Sequence, residues 1–257
     1  MCTVTYLPTP TGFILTSNRD EALARKKAEV PHTESIAGHT LLFPRDGEAL
    51  GTWIATADNQ RTVCLLNGAF KRHQRNPPYR MSRGLVVLDF FKTDSVSDFH
   101  KNYNLKGIEP FTMVIVEDKE LFELRWDGIE KFLKALDPKV PHIHCSATLY
   151  LPEVIAMRER WFTNWLKDRK EFKIEDILAF HLFAGEGDEH TQVRMSIMGI
   201  VQTVSITCIQ SINNRQTMFY SELSGNEEFV FTAYGFQENV SNAGSASDIS
   251  IPANPVK

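Results

Sequence analysis

The 257-residue sequence predicts an α+β protein built on mainly antiparallel sheets. Three observations predict it. About eleven segments of β-favouring residues occur, many in adjacent pairs joined by short polar turns. Helix-periodic segments are grouped in only two places. The composition, 42% hydrophobic and 23% charged, supports a sizeable buried core. Sheets have two faces to cover, so if two sheets stack, each keeps one outer face for helices. A four-layer αββα sandwich satisfies that count, as does an ordinary two-layer α+β arrangement.

The elements follow in order. TVTYL and FILTS, joined by PTPTG, form a hairpin, because Pro and Gly supply the turn between two β-favouring runs. HTLLF, GTWIATA and RTVCLLN are the next strands. RMSRGLVVLDFFK is the first helix, and SVSDFHKNY the second, with Thr93, Asp94 and Ser95 placed to cap its open amides. FTMVIVE and LFELRWD pair across EDKE, and IHCSATL precedes the longest helix, PEVIAMRERWFTNWLKDRK. Pro152 suits the first position of that helix. Val154, Met157, Trp161 and Trp165 repeat at helical spacing as a stripe packed on a sheet, with Arg158, Glu159 and Lys167 expected away from it. IEDILAFHLFAG is a fourth helix ending at Gly185. VQTVSITCI and QTMFYSEL pair across SINNR, and EFVFTAY follows. No linker or repeat divides the chain, so a single domain over 1–236 is expected, with a Ser/Asn/Ala-rich flexible tail over 237–257.

Charge and composition exclude several function classes. The formal net charge of -4 carries no electrostatic footprint for nucleic acid. The basic stretch from Lys71 to Arg83 reads as a solvated loop and helix start. The first basic residue is Arg19, and Pro8, Pro10 and Gly12 interrupt the early apolar residues, so no secretory signal is expected. The apolar runs fall far short of the roughly 20 residues that cross a bilayer. A cytoplasmic protein without membrane insertion is the expectation. Cys2, Cys64, Cys145 and Cys208 are scattered without a CxxC pair, which predicts reduced thiols; Cys64 and Cys208 lie in apolar runs as small buried hydrophobes. His142 and His144 share one side of a strand, with Cys145 on the other. No further ligand motif accompanies them, so no metal is expected.

The chemistry concentrates at the beginning of the chain. Methionine aminopeptidase removes Met1 when the next residue is small, and Cys2 qualifies. Cys2 would then carry a free α-amino group, of pKa about 7.7 to 8.0, beside a thiol of about 8.5. Base and nucleophile share one residue: the amine takes the thiol proton, the thiolate attacks an acyl carbon, and the amine returns the proton to the leaving group.

TSNRDEA matches the signature of the NRDE family, also called the transport and Golgi organisation family, and Cys2 stands where that family has its cysteine. GTWIATA, VCLLNGAF, MSRGLVVLDF, HCSATLYLPEVIAMRERW, VQTVSITCI and QTMFYSEL resemble further family segments, in family order over about residues 1 to 225. The resemblance implies an N-terminal nucleophile hydrolase fold, the αββα sandwich, and a distant similarity to bile-salt hydrolases and penicillin V acylases. Those enzymes carry R-x-x-D at the end of the second strand; here Asn18, Arg19, Asp20 and Glu21 supply the residue types at a different spacing. The resemblance assigns Arg19 to lowering the thiol pKa, Asp20 to orienting the α-ammonium or thiol, and Asn67 to an oxyanion hole. Asn18, Glu21, Ser146, Gln202 and Thr203 are the substrate-side candidates. Ala147 stands where many members have Asn after Ser, and Gln202 with Thr203 where an arginine is common. The implied activity is an amidohydrolase or acyltransferase acting on a small-molecule acyl substrate through acyl-Cys2, with no cofactor. Family members in animals have been linked to haem trafficking, secretion and lipid metabolism, so the alternative is a carrier or chaperone for an apolar ligand such as haem or an acyl thioester.

Overall fold

A computed structural model describes residues 3–167, 169–223, 228–236 and 247–252. In chain order its elements are β1 (Thr3–Thr9), β2 (Gly12–Ala22), β3 (Glu29–Ile36), β4 (His39–Arg45), β5 (Ile54–Ala57), β6 (Thr62–Asn67), α1 (Arg83–Phe90), α2 (Val96–Asn102), β7 (Phe111–Glu117), β8 (Glu120–Trp126), β9 (Lys131–Leu136) and β10 (His142–Cys145). There follow α3 (Pro152–Leu166), α4 (Ile174–Phe183), β11 (Ser196–Ile197), β12 (Val201–Ile212), β13 (Arg215–Glu222), β14 (Glu228–Gly235) and β15 (Ile249–Pro252).

One sheet runs β10-β1-β2-β12-β13-β14-β15, with β11 added on β12, and the other runs β3 to β9 in chain order. Every pairing whose register is defined is antiparallel. The chain folds as two compact units. The first holds Lys26–Val140 and Cys145–Pro152; the second holds Thr3–Arg25, Pro141–His144 and the described residues from Glu153 onward. The second unit takes strands from both ends of the chain, which is why no linker in the sequence marks a division.

The strands absent from the sequence reading explain themselves physically. β3, β9 and β15 are sheet edges and β11 is a two-residue appendage. An edge strand buries little on its outer side and carries Pro and charge to resist further pairing, so its apolar alternation is faint. In β3 that is EVPHTESI. In the expected tail, Ile249 and Ile251 alternate, Ile251 pairs with Phe229, and both join the core. That strand corrects the expectation of a flexible tail over 237–257; Cys2 and residues 237–246 and 253–257 lie outside the described residues.

In the first unit, Val63 and Leu65 of β6 and Met113 and Ile115 of β7 pack with Val86, Val87 and Phe90 of α1 and Phe99 of α2. Ser82 caps α1 by accepting from the Gly84 N–H, and Ser95 caps α2 by accepting from the Asp98 N–H. Buried Arg61 joins the helices to the sheet. Its Nε lies 2.6 Å from Glu117 Oε2, its Nη1 donates to the Thr93 carbonyl, and it stacks 4.2 Å over the Phe90 ring, while Glu117 accepts from the Val96 N–H. A buried ion pair tied to the backbone at Thr93 and Val96 in this way fixes the α1–α2 junction rather than adding much net stability.

In the second unit, Leu7, Ile14, Ile206, Cys208, Phe219 and Phe231 pack with Phe162 of α3 and Ile177 and Leu178 of α4. Trp161 and Trp165 pack at the border of this core, as the stripe predicts. Arg158 does not lie away from it: with Phe162, four residues on, it is one of the two buried residues of α3. Its guanidinium is tolerated there because it is hydrogen-bonded on three sides (below).

Gly185 follows α4 at φ +77, and a Cβ there would lie 2.3 Å from Trp161 Cη2. Gly185→Ala combines left-handed strain with overpacking and lowers unfolding stability by about 2–4 kcal/mol, as measured by urea denaturation.

Candidate functional site

β2 carries the polar cluster, and the pleat divides it. Successive side chains of a strand point to opposite faces, so Asn18 and Asp20 share one face while Ser17, Arg19 and Glu21 share the other. A β-bulge on β12 between Thr203 and Ser205 re-aims its side chains to match: Thr203 stands opposite Asp20, and Ser205 opposite Arg19.

Asn18 is fully buried on the helix side. Its amide donates to the carbonyls of His181 (3.3 Å) and Val193 (3.0 Å), and its Oδ1 lies 2.5 Å from His181 Nδ1. Since Oδ1 only accepts, Nδ1 carries the proton, and His181 Nε2 accepts from the Thr5 hydroxyl at 2.8 Å. Asn18 is thus a clamp between β2 and α4, not the substrate-facing group expected from the sequence. Burial, with a smaller push from the Arg158 charge, lowers the His181 pKa from 6.5 to about 3.

Arg158 Nη1 donates to Thr3 Oγ1 at 2.6 Å, Nε donates to the Thr191 carbonyl at 3.0 Å, and Nη2 donates to the Gln192 carbonyl. Thr203 Oγ1 donates to Asp20 Oδ1 at 2.5 Å and accepts from the Met195 N–H. Thr203, expected on the substrate side, is buried and holds Asp20 in place. Arg19 is buried too, with Nη2 3.8 Å from Glu21 Oε2, and half-buried Glu21 also pairs with Arg25 at 3.5 Å. Gln202 is half-buried opposite Glu21. Tyr220 stands near Arg19: burial raises its pKa, while nearby Ser205 and the Arg19 charge oppose the rise. Ser205, Tyr220 and His181 are absent from the sequence reading, and Arg158 enters it only as a residue away from the apolar stripe, because only strand pairing and helix packing bring them to β2.

The first unit holds the other two candidates. Asn67 ends β6, half-buried, and Gly68 turns the chain at φ +82. Ser146 is buried and its hydroxyl donates to the Asn67 carbonyl at 2.8 Å, with Thr148 Oγ1 3.1 Å away. The Gly68 N–H donates to Pro110 and the Gly68 carbonyl accepts from Thr112. A Cβ on residue 68 would come 2.7 Å from Thr148 Cγ2, so only glycine lets these segments close. Ser146 therefore supports Asn67 through its backbone. Cys2 lies outside the described residues.

The described cysteines Cys64, Cys145 and Cys208 form no disulfide with one another. Cys64 and Cys208 are fully buried, and burial pushes the Cys208 thiol up to about 12, which leaves it inert. His142 and His144 are half-buried, their ring centroids 6.3 Å apart. Among the described residues no three His, Cys, Asp or Glu side chains group as a metal site, and no helix is long and apolar enough to cross a membrane.

The family model described as Transport and Golgi organisation 2 matches residues 1–213. The chain belongs to that family. No curated protein sequence matches the chain. Among solved structures it is similar to the C2A mutant of the conjugated bile acid hydrolase from Clostridium perfringens, with a TM-score of 0.58 and 8% identity, covering 99% of this chain and 97% of that one. It is also similar to the Caenorhabditis elegans ortholog of N-acylethanolamine-hydrolyzing acid amidase, with a TM-score of 0.56 and 10% identity, covering 83% and 93%. At these identities the likeness shows the fold alone, the αββα sandwich.

The His181 pKa sets a pH dependence of stability. The unfolded ring takes up a proton below about 6.5 and the folded one only near 3, so this contribution is complete above pH 6.5 and is lost as pH falls toward 3. Between pH 7 and pH 5 it removes about 2 kcal/mol. Urea denaturation of wild type and His181→Gln checks this: the variant lacks that part of the pH slope.

Proposed function

We propose that the protein is a cysteine N-terminal nucleophile amidohydrolase or acyltransferase, working in the cytoplasm on an amide or thioester C(=O)–X bond of a small acyl substrate. The observation that carries the reading is the rung pairing Thr3 with Asn18 at the start of β1. Cys2 is bonded directly to Thr3, and Arg19 and Asp20 follow Asn18 directly. The fold shared with a conjugated bile acid hydrolase and an acid amidase supports it, since both names describe acyl-bond hydrolysis.

In this mechanism Met1 is removed first. The Cys2 α-amine accepts the thiol proton, aided by the Arg19 charge, which favours thiolate. The thiolate attacks the acyl carbon, the carbonyl π electrons move to oxygen, and the Asn67 side-chain amide donates to that oxyanion. The α-ammonium protonates the leaving nitrogen or sulfur as its bond to carbon breaks. Water, or an acceptor nucleophile, then attacks acyl-Cys2 by the same proton relay and releases the thiol. Asp20, held by Thr203, orients the α-ammonium, while Glu21 and Gln202 line the substrate side.

Intact mass of protein purified from its native host checks the reading. It should lack Met1 and, after brief exposure to an activated acyl ester, carry one adduct mapping to Cys2 that is absent in Cys2→Ala; full retention of Met1 would rule the mechanism out. Asn67→Ala should slow turnover by about 100-fold or more while leaving the fold intact by thermal melt.

A further inference from the structure

The one fully buried cation of the second unit's core among the described residues is Arg158, and the mechanism above does not use it. Burying a guanidinium costs several kcal/mol unless its donors are met, and an apolar residue would fill the place beside Phe162 more cheaply. What Arg supplies instead is a rigid fork of donors. Here the fork joins three separate segments: α3, the Thr191–Gln192 turn and Thr3. The partner of Thr3 across the rung, Asn18, is held from the same side by the His181 and Val193 carbonyls, and Val193 follows Gln192 directly. Both members of the rung next to Cys2 are thus tied to one rigid block made by α3, α4 and the 191–193 turn.

We propose that Arg158 is the positioning residue of the nucleophile: by gripping the Thr3 hydroxyl it fixes the point at which the chain leaves β1, and so the reach of the Cys2 thiol. This rests on the hydrolase reading of Cys2. A misplacement of the thiol on the scale of 1 Å is enough to cost on the order of a hundredfold in rate.

The test compares wild type, Arg158→Met, Thr3→Val, Thr3→Ser and the Arg158→Met/Thr3→Val double variant, all with Met1 removed. Two quantities are read: hydrogen–deuterium exchange of the Thr3–Leu7 amides, and the rate of Cys2 acylation by p-nitrophenyl octanoate, with iodoacetamide alkylation of Cys2 as a reactivity control. Arg158→Met and Thr3→Val should each speed exchange in that segment and slow acylation at least tenfold, with alkylation within about twofold of wild type. Thr3→Ser, which keeps the acceptor, should restore most of the rate, and the double variant should be no slower than the slower single one, because both changes break one contact. Where Arg158→Met does not fold, Thr3→Val carries the comparison. Unchanged exchange and acylation in Thr3→Val, with wild type acylated normally, overturn the positioning role alone. A wild-type Cys2 that takes up no acyl group overturns the hydrolase reading beneath it.

Discussion

β2 is paired with β12 along its length and with β1 from Gly12 to Asn18, and the candidate site follows from that constraint. Ile14 packs in the core with α4 while Leu15 is buried on the opposite face, so a one-residue slip would exchange two differently shaped buried faces. Ile14 and Leu15 are both fully buried, so the pleat leaves no freedom over which face Arg19 and Asp20 occupy. Neighbours in sequence become residents of opposite faces. Asp20 accepts from Thr203 on one face, and Arg19 lies beside Glu21 and near Tyr220 on the other.

The helix side supports this arrangement with neutral and charged groups in distinct roles. Asn18 and His181 exchange hydrogen bonds without charge, since complete burial keeps the imidazole neutral. Arg158 keeps its charge because a guanidinium stays protonated under all ordinary conditions, and it spends its donors on oxygens. A neutral histidine beside a buried cation avoids like-charge repulsion. The same face continues into a conventional apolar core through Leu7, Ile14 and Cys208.

Several members of the candidate site were legible from residue types. The N-R-D-E run, Asn67 at a strand end, and the thiol of Cys2 stand out because polar residues interrupt β-type alternation. What the pattern misled on were residues whose type and place disagree. Arg158 belongs by type to the solvated face of an amphipathic helix, and Asn18 and Thr203 belong by type to a polar surface. In each case a specific partner contributed by a distant segment reverses the expectation, and hydrophobic periodicity carries no information about such partners. Edge strands were hidden for the opposite reason, since β3 and β9 face solvent enough to resemble loops.

The sequence by itself determined the fold class, the family, most of the strand and helix order, and the cluster of residues at the end of the first hairpin, because these depend on local alternation, helical period and motif. Only the tertiary structure decided which face each polar residue occupies, that Thr203 serves Asp20 and Ser146 serves Asn67, and that Arg158 lies beneath the first strand. The physical reason is that strand register, the bulge at residues 203–205 and the packing of α3 and α4 are set by contacts between residues more than a hundred positions apart.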